Sequence, residues 1–330
     1  MDNEMRYDPI LKEWVIVAKN RTVRPVLGKS FEKKKKTWTC PFCPDAPEGA
    51  GNWVVKWVPN RFPSLIDESG MSFKNEELVD NFYKKRPGKG RCEVILFTQD
   101  HEKTLGDLTI HNIEALIKLW QERQEFSMRD PEFKYTFIFE NRGEIIGVSI
   151  SHPHGQLYTF PFIPPKINKA LQSANEYMEN NDSCLYCEII SVEKEDGSRI
   201  IVENDDFISF IPYFAKWPFE IHIYPKKHVN YINGITDSNA VTNFAKILKK
   251  VVKKLDGLYG FTMPYVMSHH NAPYNCGNVN GYHYHIEIYP PYRGKDRVKY
   301  LAGVELGTNT IINPTNPSEN AEQLRNVEID

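Results

Sequence analysis

Long apolar runs are missing from this 330-residue chain. None approaches the about 20 residues that a membrane-spanning helix needs, so no transmembrane segment is expected. Charge of one sign is equally scarce. Lys and Arg number 41 against 43 Asp and Glu, a formal net charge of −2, which leaves no general pull toward nucleic acid or anionic lipid. The opening "MDNEMRYDPI" carries acids and has no apolar core, unlike a secretory leader. A cytoplasmic protein with reduced cysteines is therefore expected. Cysteine and histidine are both sparse, at six and ten residues. Four of the cysteines nevertheless form two C-x-x-C pairs, Cys40/Cys43 and Cys184/Cys187, 144 residues apart. That separation excludes a zinc ribbon, and each pair reads as a metal knuckle or a redox pair. Cys92 and Cys276 stand alone and read as packing residues.

The segments downstream of the two pairs repeat one order. After Cys43 come a strand-like run, Cys92–Thr98, leading to His101, and a helix-period segment with Ile110, Ile113, Leu116, Ile117 and Trp120 behind Thr109 as N-cap. A second strand, "KYTFIFENRG", then leads to "SISHPHGQLY" with His152 and His154. After Cys187 the order recurs: "EIHIYPKKH" ending in His228, then a helix with Val241, Phe244, Leu248, Val251 and Leu255 on one face and Gly257 as its C-cap. "MPYVMSHHNAP" and "GYHYHIEIYP", with His283 and His285, close the unit. The separations agree, 51 residues from His101 to His152 and 55 from His228 to His283. The earlier legs, 58 and 41 residues, differ by what one loop insertion would supply. Strands around one long helix predict an α+β unit on a mainly antiparallel sheet, occurring twice: residues 1–165 and 166–330. Lys33–Lys36 read as a solvated loop, and Lys246, Lys249, Lys250, Lys253 and Lys254 as a wet helix face. The C-terminal tail reads as a loop followed by a polar helix.

Side chains alternate along a strand, so His152, His154 and Gln156 are expected on one face, as are His283, His285 and Glu287. Two histidines on one face can share a metal, divide metal binding from chemistry, or simply hydrogen-bond at the surface. A closed structural zinc site takes four nitrogen or sulfur ligands. Cys40, Cys43, His101 and His152 make one such set, and Cys184, Cys187, His228 and His283 another. The cofactor expected is structural zinc, two ions per chain. His154 is then left over. A neutral imidazole is a competent nucleophile near neutral pH, and a phosphorus centre suits it because phospho-histidine passes its group on. Gly155 would let a charged ligand approach the backbone. Glycine and polar residues in "FENRGEIIGVS" can hold phosphate oxygens through backbone N–H groups.

"ENRG…GVSISHPHGQ" resembles the active-site segment of the galactose-1-phosphate uridylyltransferases, the transferase branch of the histidine-triad superfamily. "RYDPILKEWVIVAKNRTVRP", "PYFAKWPFEIHIYPKKH" and "GYHYHIEIYPP" are similar to the family's other hallmark stretches, and the likeness runs over nearly the whole chain. The resemblance implies two histidine-triad-like units in tandem, a homodimer, and ping-pong transfer. His154 would attack the α-phosphorus of UDP-glucose, releasing glucose 1-phosphate, and galactose 1-phosphate would then take the uridylyl group. Gln156 would hydrogen-bond the phosphoryl group, whereas hydrolytic relatives carry a third histidine there. Arg21 and Arg24 would meet phosphates through their forked donors. Asn60, Asn141 and Ser149 would line the nucleotide site. Lys299 and Glu305 would belong to a strip lent to the neighbouring subunit's site. Two departures stand out. The resemblance also implies, for some members, an iron-type site of one glutamate and three histidines. His270, His283 and His285 match those histidines, but "PPKINKALQ" (164–172) holds no glutamate. In addition, Ile311 stands where the family's sugar-contacting stretch has glutamine.

Three readings compete. A hexose-1-phosphate uridylyltransferase, acting on a nucleotide sugar and a sugar 1-phosphate, leads. An ADP-sugar phosphorylase or adenylyltransferase is motivated by the second cysteine–histidine set and by "GTNTIINP". A zinc-knuckle protein that binds nucleic acid rests only on Lys33–Lys36 beside Cys40, so no nucleic-acid partner is expected.

Overall fold

The computed structural model describes residues 3–18, 40–68 and 70–329. Arg21, Arg24 and Lys33–Lys36 lie outside the described residues. The chain opens with β1 (Glu4–Asp8) and β2 (Glu13–Val17), followed by β3 (Lys56–Pro59). β4 (Glu77–Val79) and β5 (Tyr83–Pro87) pair back on the first hairpin, giving a small antiparallel sheet in the order β2-β1-β5-β4. The first half continues through β6 (Arg91–Leu96), α1 (Ile110–Met128), β7 (Tyr135–Arg142) and β8 (His154–Phe160). The second half starts with α2 (Pro165–Asn181) and α3 (Leu185–Asp196), then β9 (Ile200–Glu203), β10 (Phe207–Phe210) and β11 (Ile221–Pro225). After α4 (Ser238–Tyr259) come β12 (Tyr265–His270) and β13 (His285–Tyr289). A short ribbon of β14 (Tyr292–Gly294) and β15 (Arg297–Val298) precedes α5 (Gly303–Thr308) and α6 (Pro317–Arg325). The α+β class with a mainly antiparallel sheet is as expected.

The two halves join through backbone hydrogen bonds. The main sheet runs β3-β6-β8-β7-β12-β13-β11-β10-β9, and every neighbouring pair is antiparallel. The order is nearly symmetric about the β7–β12 seam, where Tyr265 lies opposite Arg142 and His269 opposite Ile138. The repeat read from the sequence thus becomes one continuous nine-stranded sheet.

Both long helices pack on one face of it. Thr109 caps α1 by accepting from the Asn112 N–H, and Asp237 caps α4 from the N–H groups of Asn239 and Ala240. Ile113, Leu116, Ile117 and Trp120 of α1 join Val241, Phe244, Leu248, Val251 and Leu255 of α4 in a core with Ile95, Ile138, Leu157, Met267 and Ile286. Each fully buried aliphatic side chain of this kind contributes roughly 1.5–3 kcal/mol.

Two helix readings are corrected. α4 runs past Gly257 and ends at Gly260, which takes the left-handed conformation at φ +74°. Gly257 is required instead by the tail, because a Cβ there would lie 2.4 Å from Val327 Cγ1. Lys254 does not belong to a wet face. It is buried and donates to the carbonyls of Leu324, Arg325 and Val327 at 3.1, 2.8 and 2.8 Å, satisfying the end of α6. The tail therefore docks, with Ala321 and Leu324 in the main core. Among the described residues no helix is long and apolar enough to cross a membrane.

The opposite face of the sheet differs between the halves. In the second half α2 and α3 lie over it: Ala174, Tyr186 and Ile190 pack on Phe210 and Tyr224, and Ile167 and Leu171 on Tyr282. In the first half the same face carries a small pocket.

Candidate active site and metal centres

β8 sets out the site by alternation. Gly155, Leu157 and Thr159 are buried toward the helices, while His154, Gln156 and Tyr158 face the other way. These three, with Phe139 and Asn141 of β7 and with Gly147 and Val148, line a cavity of about 180 Å³. Gly143 and Gly147, at φ +95° and +83°, flank a single 3-10 turn, Glu144–Ile146, that brings the chain from β7 to the pocket rim. Gly155 is needed on the core side. A Cβ there would stand 3.0 Å from the Phe139 carbonyl and 3.1 Å from the Phe97 ring, so packing, rather than ligand approach, demands glycine.

His152 does not belong to the strand. It precedes β8, is fully buried, and reaches the cysteine loop, while the Phe42 ring packs against both it and His154, at 6.1 and 5.1 Å. His152 Nδ1 lies 3.7 Å from Cys43 Sγ, and His101 Nδ1 lies 3.4 Å from the same sulfur. The second set is built alike, with His283 Nδ1 3.5 Å and His228 Nδ1 3.8 Å from Cys187 Sγ, and His283 Nδ1 3.9 Å from Cys184 Sγ. In each set all four ligand atoms lie within 4.8 Å of one another, so each can hold a metal ion. The outer nitrogens are also oriented as ligation requires. His152 Nε2–H donates to the Thr98 carbonyl at 2.8 Å and His283 Nε2–H to the Pro225 carbonyl at 3.0 Å, which leaves Nδ1 with its lone pair inward. Burial pushes the Cys40 thiol up to about 11 and holds His152 below its ordinary range. A bound cation reverses that penalty for the thiolate. In the second set hydrogen bonding from Cys187 and His283 draws the Cys184 thiol down against the effect of its burial.

The His152 backbone links the first set to His154. His154 Nδ1 lies 2.8 Å from the His152 carbonyl oxygen. A carbonyl only accepts, so Nδ1 carries the proton and Nε2 the lone pair. Gln156 is held from β3's end, where Asn60 Nδ2 lies 3.3 Å from Gln156 Oε1. Asn141 lines the pocket. Ser149 follows the lining residue Val148 without lining the cavity itself. Lys299 and Glu305 are buried against each other, Nζ to Oε1 3.0 Å, with Lys299 over the Trp217 ring at 5.2 Å. They do not line the His154 pocket of their own chain.

A third cluster, built on the face expected for His285 and Glu287, occupies the place in the second half that the pocket holds in the first. His270, His285 and Glu287 bring their ligand atoms together. His285 Nδ1–H donates to the His283 carbonyl at 2.9 Å, as His154 does to His152. Gln156 lies opposite Val94 and Phe139, and Glu287 opposite His222 and Ser268. Glu287 therefore stands where Gln156 does. Glu287 of β13 supplies the carboxylate beside His270 and His285, and His283 groups with the cysteines instead. Lys166 Nζ, from the start of α2, bonds Glu287 and, at 2.7 Å, the Tyr289 hydroxyl. Burial works against the Glu287 carboxylate, but His270, His285 and His222 around it hold its pKa well below the usual range. The i, i+2 spacing puts His285 and Glu287 on one face, and His270 joins them from β12, paired opposite His285.

The family model for the galactose-1-phosphate uridyl transferase N-terminal domain matches residues 1–164, and that for the C-terminal domain matches 170–329. The chain belongs to the galactose-1-phosphate uridylyltransferase family. It is 36% identical over 329 residues to the galactose-1-phosphate uridylyltransferase of Thermotoga maritima, covering 99% of each chain. The Haemophilus influenzae enzyme of that name is 33% identical, with 92% of this chain and 89% of the relative covered. A solved uridylyltransferase structure superposes at a TM-score of 0.84 with 33% identity, covering 98% of this chain and 97% of that one. An ADP-glucose phosphorylase from Arabidopsis thaliana is also similar, at 27% identity over 99% of this chain and 93% of the relative.

Proposed function

We propose that the protein is a galactose-1-phosphate uridylyltransferase working by double displacement at His154. The observation that carries this is the fixed tautomer: the His152 carbonyl holds the proton on Nδ1, and Nε2 is the nucleophile at a pocket shared with Gln156. In the first half-reaction the Nε2 lone pair attacks the α-phosphorus of UDP-glucose. The bond to the bridging oxygen breaks, and glucose 1-phosphate leaves with the electron pair. In the second, a phosphate oxygen of galactose 1-phosphate attacks the same phosphorus and the N–P bond breaks, returning neutral His154 and UDP-galactose. The Gln156 amide donates to the phosphoryl oxygens and cannot take a proton from water, which favours transfer over hydrolysis. Asn60, Asn141 and Ser149 serve the nucleotide side, and Arg21 and Arg24 the phosphates.

Zinc is the cation proposed for both Cys₂His₂ sets, held by Cys40, Cys43, His101 and His152 and by Cys184, Cys187, His228 and His283. With ordinary Zn–S and Zn–N lengths a tetrahedral ion sets S···N at about 3.6 Å, and the observed separations bracket that value. Four protein ligands leave no open position, so the ion's contribution is structural. It would anchor the cysteine loop beside the nucleophile's strand. The working unit is a cytoplasmic homodimer of chains that divide near residue 165. Lys299 and Glu305 brace a strip whose Tyr300, Leu301, Val304 and Leu306 are exposed, available to a second copy.

The ADP-glucose phosphorylase among the relatives supplies the second reading. A panel of UDP- and ADP-sugars as donors, with galactose 1-phosphate and inorganic phosphate as acceptors, separates the two. UDP-glucose with galactose 1-phosphate should turn over fastest; preference for ADP-glucose with phosphate overturns the proposal.

A further inference from the structure

Phe62 N–H donates to Asn60 Oδ1 at 2.9 Å. A backbone N–H can only donate, so that end of the Asn60 amide is its oxygen and the other end is its NH₂. The NH₂ end lies 3.3 Å from the Gln156 side chain. Two NH₂ groups cannot face each other favourably, so Gln156 must present its oxygen to Asn60 and turn its two N–H donors away. The Asn60 backbone is itself fixed, its N–H donating to the Cys92 carbonyl at 2.9 Å, just beyond the β3–β6 pairing. One backbone N–H thus determines, through two amides in series, which end of Gln156 is left for whatever enters the pocket.

We infer that Asn60 is a positioning residue of the transfer reaction, acting through the Gln156 amide. Without that partner an amide can rotate end for end and offer its oxygen to a phosphoryl oxygen, replacing attraction with repulsion. The inference rests on the uridylyl-transfer reading for its kinetic consequence, while the orientation itself is independent of the chemistry.

A double-mutant cycle of Asn60→Ala and Gln156→Ala tests it, read as the single-turnover rate of glucose 1-phosphate release from UDP-glucose. Asn60→Ala should slow that step roughly 10-fold at saturating UDP-glucose, within the worth of one hydrogen bond to a charged group. In the Gln156→Ala background the same substitution should change the rate by less than about twofold. Asn60→Ser, smaller in its disturbance of the loop, should give the same non-additive pattern. Factors that multiply across the cycle overturn the inference. A second readout needs no turnover. Uridine monophosphate titrated into ¹⁵N-labelled protein should shift the Gln156 side-chain amide signal in the parent and shift it much less in Asn60→Ala; equal shifts overturn the inference. A parent that transfers nothing from UDP-glucose but shows the amide effect refutes the reaction and retains the positioning.

Discussion

Glu140 sits on β7 with its side chain on the helix-side face, between Phe139 and Asn141, which line the pocket on the other. It is buried, and Tyr265 donates its hydroxyl to Oε2 at 2.8 Å. Arg142 lies over the Tyr265 ring at 4.1 Å but is committed to Asp256 and to the Met263 carbonyl at 2.8 Å. Burial therefore dominates and pushes the carboxyl from 4.5 up to about 7. The unfolded chain releases this proton near pH 4.5, the folded chain near 7. Below pH 4.5 both states hold the proton. Between the two values the folded state binds more, and stability falls as pH rises; above about 7 the loss is complete. At about 1.4 kcal/mol per unit, the loss from this one group is about 3 kcal/mol. Glu140→Gln keeps an acceptor for Tyr265 and removes the titration. Chemical denaturation of both proteins from pH 5 to pH 8 measures the effect. The variant should gain on the parent across that range by up to about 3 kcal/mol, with the gain levelling off above pH 7. Parallel profiles, or a variant that loses ground as pH rises, would refute the reasoning.

Two further predictions concern the site's supports. Cys43→Ser, which touches the sulfur shared by His101 and His152, should lower the melting temperature and the activity together, and strong chelators should act in the same direction; metal analysis should give two ions per parent chain and one per variant. Activity lost at an unchanged melting temperature would instead mark the metal as catalytic. Gly155→Ala places a Cβ against Phe97 and the Phe139 carbonyl and should cost about 1–3 kcal/mol of stability, measured by denaturation, with a drop in turnover as β8 shifts; an unaffected variant would return Gly155 to a role in ligand approach.

Helix faces were legible because their period is local: Val241, Phe244, Leu248, Val251 and Leu255 are read at a glance and are all buried. The ligand order C-x-x-C, His, His was legible for a related reason, since each half repeats it, and counting to four separated His152 from His154. The features that stayed hidden depend on distant chain. Gly257 imitates a helix end until Val327 is seen across it. Lys254 looks solvated until the carbonyls at the end of α6 are placed beside it. Glu287 becomes part of a cluster only when β11, β12 and β13 pair and Lys166 arrives from α2. The covering of one half by α2 and α3, which buries His285 while His154 meets a pocket, derives from no local pattern. The backbone carbonyl that selects the His154 tautomer carries no sequence signal, because every residue has one.

The most direct test of His154 as nucleophile is covalent. The protein is incubated with UDP-glucose in the absence of acceptor, digested, and its peptides are weighed. One uridylyl group is predicted on the peptide containing His154, to be lost on adding galactose 1-phosphate with formation of UDP-galactose, and no adduct is predicted in His154→Ala. A peptide map without the adduct, or with the uridylyl group on another residue, would contradict transfer through His154.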